Sequence, residues 1–171
     1  MNKELLNLSK EELLTYIEDL SKNWLAHDGL WFLSVEKHFG LEKAIELDIE
    51  TWKSFTVLEA KRIMKRFGIS QGSGLEAVKK ALKYRLAANV NKYEIKDIDE
   101  NTFTFQMSTC RVQNARKRKG LPDFPCKDVG LVEYLYFAKT IEPKVEVECV
   151  ACPPDPHPED FWCKWKFVMK K

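Results

Sequence analysis

Five cysteines, Cys110, Cys126, Cys149, Cys152 and Cys163, carry most of the chemistry this chain can offer. Three of them fall in "VECVACPPDPHPEDFWCKW", residues 147–165, together with His157 and four prolines. A thiolate is a nucleophile and a metal ligand, whereas a protonated thiol is neither. Cys126, Cys149, Cys152 and Cys163 match the ligand count of a tetrahedral zinc site, with His157 as a substitute. Only one C-x2-C pair is present, so spacing alone does not select a metal. Zinc is the first cofactor candidate. An iron–sulfur cluster would need the same four thiolates and is the less favoured one. The plain alternative is that single cysteines fill the core as small apolar residues.

Cys126 has a second attribute. It follows "LPDFP" and opens a helix, where unpaired N–H groups and the positive end of the dipole favour a thiolate. Lys127 adds positive charge. Cys126 is therefore the best-placed nucleophile, with Asp128 close by to orient or accept a proton. In "HDGLWFLSVEKHFG", His27 and Glu36 are the groups able to handle protons. Glu36 lies one helical turn from Phe32, beside an apolar surface where a carboxyl would hold its proton more tightly. The competing reading makes Glu36 an ordinary helix residue and Asp28 a helix cap.

These residues need elements to hold them. The chain has 171 residues, enough for one domain with a real core. Ser9 and Glu12 form a capping box before a helix with Leu13, Leu14, Ile17, Leu20 and Trp24 on one face. Asp28 caps a second helix that ends at Gly40, and a third follows over "LEKAIELDIETWKSF". Further capping boxes, Thr56 with Glu59 and Ser73 with Glu76, open two more, about five helices by residue 90. Then the period changes to two. "KYEIKDIDENTFTFQMSTC" reads as a β-hairpin, "RVQNARKRKG" and "CKDVGLVEYLYFAKTI" as helices, and "KVEVECVA" with "FWCKWKFVM" as a second hairpin. The fold class is α+β: a helical N-terminal half packed on an antiparallel sheet of about four strands, in the order β-β-α-α-β-β. Residues 1–90 make the helical part and 91–171 the cysteine-containing α+β part of one folded unit.

Apolar alternation registers the last hairpin. Pairing Val145 with Phe167 and Val147 with Trp165 puts Cys149 opposite Cys163, with Cβ atoms about 4.5–5.5 Å apart. Cys110 ends its strand pointing away from Phe103, Phe105 and Met107.

Composition excludes several functions. The net charge of +2 is too balanced to require a nucleic acid or a membrane. The basic run Arg111, Arg116, Lys117, Arg118 and Lys119 is first a solvated face and only second a phosphate site. No apolar run reaches the roughly eighteen residues of a membrane span, and no apolar core of a signal peptide opens the chain. Location in the cytoplasm is the expectation. No P-loop, dinucleotide-binding glycine signature, G-x-S-x-G or H-E-x-x-H occurs.

Together "HDGLWFLSVEKHFGLEKAIELD", "CRVQNARKRKGLPDFPCKDVGLVEY" and "CVACPPDPHPEDFWCKWKF" resemble a family of uncharacterised bacterial and archaeal cytosolic proteins, over nearly the whole chain. More distantly, the C-terminal part resembles the L-2-amino-thiazoline-4-carboxylic acid hydrolase family. That resemblance rests on Cys126 with Asp128 at a helix start and on "CKWKF" from Cys163. It implies a small hydrolase-like enzyme. The "CVACPPDPHP" loop and the long helical half depart from that pattern.

The leading expectation is thus a hydrolase-like enzyme acting through Cys126, as nucleophile or as ligand of a water-activating metal. Asp128, His27 and Glu36 would serve it from a pocket between helices and sheet that takes a small molecule. The alternatives are a non-catalytic metal-binding module and a protein that senses a ligand or nucleic acid.

Overall fold

The computed structural model describes residues 2–170. Helices α1 (Lys10–Phe39), α2 (Leu41–Phe67) and α3 (Gly74–Leu82) come first. Strands β1 (Lys92–Asp99) and β2 (Thr102–Thr109), helices α4 (Arg111–Arg118) and α5 (Lys127–Ile141), and strands β3 (Val145–Ala151) and β4 (Cys163–Met169) follow. Short 3-10 turns occupy Lys3–Asn7 and Leu86–Asn89. The four strands form one antiparallel sheet, ordered β1-β2-β4-β3. This is the α+β architecture that the change of period implies.

The helical half has fewer breaks than its polar punctuation suggests. The Ser9–Glu12 box forms, with the Glu12 amide donating to Ser9 Oγ at 3.2 Å and the Ser9 amide to Glu12 Oε2 at 2.7 Å. Asp28 caps nothing, because α1 runs unbroken through Asp28 and Gly29. One internal glycine costs only about 1 kcal/mol against alanine, too little to interrupt a long helix. Thr56 lies inside α2, where its hydroxyl donates to the Trp52 carbonyl. Its expected box partner, Glu59, binds Arg85 instead. The real break is Gly40, whose φ of +85° lets a single residue turn α1 into α2. At α3, Ser73 donates to the Ser70 carbonyl, and it is Glu142 Oε2 that accepts from the Gly74 amide at 2.9 Å.

The sheet is covered on one face. Phe103, Phe105 and Met107 of β2, Cys163, Trp165 and Phe167 of β4, and Val145 and Val147 of β3 are buried under the helices. The other face is polar, with Lys166 paired to Glu148 at 3.1 Å. Helix α5 lies directly on this apolar face. It approaches so closely that a methyl group at Gly130 would sit 2.5 Å from Trp165 Cζ2.

The β3–β4 register differs by two residues from the sequence pairing. Val145 faces Met169, Val147 faces Phe167, and Cys149 faces Trp165, with a bulge before Ala151 faces Lys164. A two-residue slip keeps every side chain on its face, so alternation cannot detect it. The consequence is that Cys163 lies across from Met107 of β2, not from Cys149.

Replacing Gly130 with alanine tests the α5–sheet contact. Within a helix that change normally stabilises. Here overpacking against the immobile Trp165 ring should cost about 1–3 kcal/mol, read as a lower midpoint in chemical denaturation.

Candidate functional site

A cavity of about 400 Å³ opens between α1, the end of β2, α4 and the covered face of the sheet. From α1 it takes Leu25, Asp28, Phe32 and Leu33, and from α2 Asp48 and Trp52. Its floor is Met107, Cys163 and Trp165, and α5 supplies Glu133 and Tyr134. The Phe124 loop and Cys110, Cys126 and Cys152 close one side. The wall is largely apolar and aromatic, broken by a few polar groups, which is the ordinary make-up of a small-molecule site.

Gln113, fully buried in α4, sets the thiol side. Its Nε2 donates to the Phe124 carbonyl and its Oε1 accepts from the Phe124 amide, both at 2.8 Å. That double bond shapes the loop before α5 and turns the amide toward Cys126 Sγ at 3.6 Å. The Lys127 amide donates to the Pro153 carbonyl at 2.9 Å, drawing the proline-rich loop across the start of α5. Cys152 therefore lands against Cys126, with the two sulfurs 3.3 Å apart.

The two thiols are driven apart in acidity. The hydrogen bond from Cys152 holds Cys126 below the usual cysteine range against the effect of burial, and Gln113 helps. Cys152 is pushed upward by its bonds to Cys126 and Cys163 and by burial. The bond from Cys152 is thus the largest influence on the Cys126 thiol. Lys127 gives its charge to Asp155, 2.6 Å away.

Only part of the expected site is assembled. Among Cys126, Asp128, His27 and Glu36, Cys126 alone lines the cavity. Asp128 and His27 are solvent-exposed. Glu36 does not sit bare on an apolar surface, for Arg116 grips both its oxygens at 3.0 and 3.3 Å. Arg116 is itself buried and also donates to the Pro122 carbonyl, so this member of the basic run is structural. Lys117 lies 4.4 Å from the Trp162 ring centre.

Of the expected metal set, Cys126, Cys152 and Cys163 are near neighbours. Cys149 stands apart, opposite Trp165 in the ladder. Burial raises its pKa, partly offset by Lys127. His157 leans on Trp162, ring centres 5.3 Å apart, and does not line the cavity. Among the described residues no three or more His, Cys, Asp or Glu side chains are arranged to hold a metal ion. The thiol expected to point away, Cys110, instead lines the cavity, because β2 has ended at Thr109 and alternation no longer governs it. Burial pushes its pKa up to about 12.

Sequence reasoning missed the carboxyl side. Asp48 is pushed up to about 7, first by burial, then by the nearby charges of Asp28 and Glu133. Burial also raises Asp28, partly offset by His27, and raises Glu133, partly offset by Arg85. Asp28 and Asp48 are twenty residues apart in the chain and meet only because α2 folds back along α1. A further unmet demand is the Trp165 indole Nε1–H, buried without a hydrogen-bond partner.

The chain belongs to a family of unknown function, DUF6125, whose family model matches residues 5–169. A comparison with curated proteins found no match. Among solved structures the fold is similar to the phenol-responsive sensory domain of the transcription activator PoxR, crystallised with phenol. The TM-score is 0.57 at 16% identity, over 84% of this chain and 73% of that one. The expectation of an uncharacterised family holds. The likeness found is to a sensory domain rather than to an amino-thiazoline hydrolase. No helix among the described residues is long and apolar enough to cross a membrane.

Two measurements probe the site's electrostatics. Cys126 should alkylate faster at neutral pH than a free model thiol, by mass spectrometry of modified peptides. Cys152→Ala should slow it several-fold by removing the bond that favours the thiolate. Asp48 binds a proton more tightly in the folded than in the unfolded chain, so its charge costs stability increasingly as pH rises from about 4 to above 7. Asp48→Asn should therefore raise the melting temperature at pH 8, by ~2–4 °C or more, and change it little at pH 4.

Proposed function

We propose that this protein is a ligand-sensing domain that binds a small organic molecule in the helix–sheet cavity. The observation that carries the reading is the cavity itself: about 400 Å³, walled by Phe32, Trp52, Phe124, Tyr134 and Trp165, with carboxyls on one side and thiols on another. A filled core does not leave such a volume, because protein interiors pack to the density of organic crystals. The fold likeness to a phenol-responsive sensory domain supports a small organic ligand for this cavity. Sensing needs a binding-dependent change in some other part of the chain or in a partner. Helix α1 suits that role. Of its thirty residues only Ser21 is fully buried, and the cavity lies along its second half.

A second reading is favoured by the lowered pKa of Cys126. In it the protein is a hydrolase-like enzyme whose Cys126 sulfur attacks the molecule held in the cavity. Proton transfer would then fall to groups on the wall, since Asp128, His27 and Glu36 do not reach it.

A panel of small aromatic and apolar compounds, phenol included, separates these readings. Binding is followed by thermal shift and by tryptophan fluorescence. Saturable binding should stabilise the fold by about 2.7 kcal/mol at a hundred times Kd. Leu33→Trp, which fills the cavity, should abolish binding without lowering the melting temperature. If no compound binds the wild-type protein, the sensing reading fails. Turnover of any bound compound that stops in Cys126→Ser would favour the enzyme instead.

A further inference from the structure

The charges buried around the cavity carry the ligand-binding reading further, to the class of molecule bound. Three carboxyls line it: Asp28, Asp48 and Glu133. Arg85 is already engaged by Glu133 at 2.7 Å and by Glu59 at 2.8 Å, and Glu59 also accepts from the Leu86 amide. Asp28 and Asp48 have no ion pair among the described residues. Both are partly buried and close enough to repel one another. Trp52, one turn after Asp48, brings an aromatic ring to the same side, braced by Trp24 and Phe55 at 6.1 and 5.5 Å between ring centres. Four basic side chains also line the cavity: Arg116 is paired with Glu36, Arg118 and Lys119 are solvent-exposed and screened by water and salt, and Arg111 is half-buried, but the charges acting on Asp28 and Asp48 are those of His27 and the neighbouring carboxyls. His27 is exposed beside Asp28.

We propose that the cavity selects an organic cation, a small amine on an aromatic or apolar frame, with its ammonium between Asp28 and Asp48 against the Trp52 ring. This rests on the ligand-binding reading above. Two carboxyls without an ion pair in one partly buried site repel, and a cation placed between them removes that repulsion. The Trp52 ring, whose side chain also hydrogen-bonds Asp48, adds a cation–π attraction. The apolar floor of Met107 and Trp165 accommodates the frame. A neutral phenol would leave the carboxyl repulsion in place.

The pH dependence follows with a definite sign. Asp48 must be ionised to hold the ammonium, and without ligand it keeps its proton up to about 7. The groups facing it are Asp28 on α1, Trp52 on α2 and Glu133 on α5, with Arg85 behind Glu133. A primary alkylamine stays protonated across this range. Affinity for the amine should therefore rise as pH goes from 6 to 8, with a proton released on binding, and should level off above that.

The test is isothermal titration of the full chain with matched pairs that share a frame: phenethylamine against phenethyl alcohol, tyramine against its alcohol analogue, and cyclohexylmethylamine against cyclohexylmethanol. At pH 8 the amine of at least one pair should bind tenfold or more tightly than its neutral partner. That preference should shrink several-fold at pH 6. The double variant Asp28→Asn/Asp48→Asn should lose the preference while keeping any binding of the neutral compound, with a melting temperature at pH 8 no lower than wild type, since removing these charges stabilises the fold. Equal or better binding of the alcohols, or an amine preference that survives the double variant, would overturn the cation proposal and leave the ligand-binding reading standing. Absence of binding by either member of every pair would overturn both.

Discussion

Arg85 is the point on which the architecture turns. It is only 4% exposed, and its guanidinium reaches Glu59 on α2 and Glu133 on α5 while lying over the Phe137 and Tyr134 rings. Burial works against its charge, but the two carboxylates more than compensate and leave it firmly cationic. Removing one partner of such a buried pair generally costs about 3–5 kcal/mol, since the other charge is left stranded. One side chain thus ties the helical half to the layer that covers the sheet. Glu133 also faces the cavity, so the same network braces the cavity wall.

A stiff wall on one side and a lightly packed helix on the other give the cavity its character. Helix α5 is pressed onto Trp165 at Gly130, whereas α1 leaves Leu30, Trp31 and Phe39 more than half exposed. The cavity therefore lies between a closely packed layer and a more exposed helix, the arrangement in which local opening is easiest on the exposed side. The partly buried carboxyls Asp28 and Asp48 beside the cavity carry raised pKa values, a kind of cost that collects at functional sites.

The thiols follow a different logic. Gln113 and the proline-rich loop place Cys152 on Cys126, and their contact sets both acidities. Short motifs singled out Cys126 for its place at a helix start, whereas the largest influence on its acidity is Cys152, the neighbour that the loop delivers. Glu36 shows the opposite error. Its apolar surroundings in sequence predicted a free carboxyl, but Arg116, eighty residues away, claims it.

Local chemistry determined much of this protein on its own. The change of period from 3.6 to 2 marks where helices give way to strands, and alternation assigns the inward faces of β2, β3 and β4. The Ser9–Glu12 box and Gly40 mark true helix ends. These are effects of neighbouring residues, and they are written in neighbouring letters. The tertiary structure alone decided the rest. The β3–β4 register escaped because a slip of two residues preserves every face. The helix breaks expected at Asp28 and Thr56 vanished because long-range packing outweighs a weak local stop. The pairing of Asp28 with Asp48, of Cys126 with Cys152, and of Arg85 with Glu59 and Glu133 depends on how helices lie against one another, and no spacing along the chain encodes that distance.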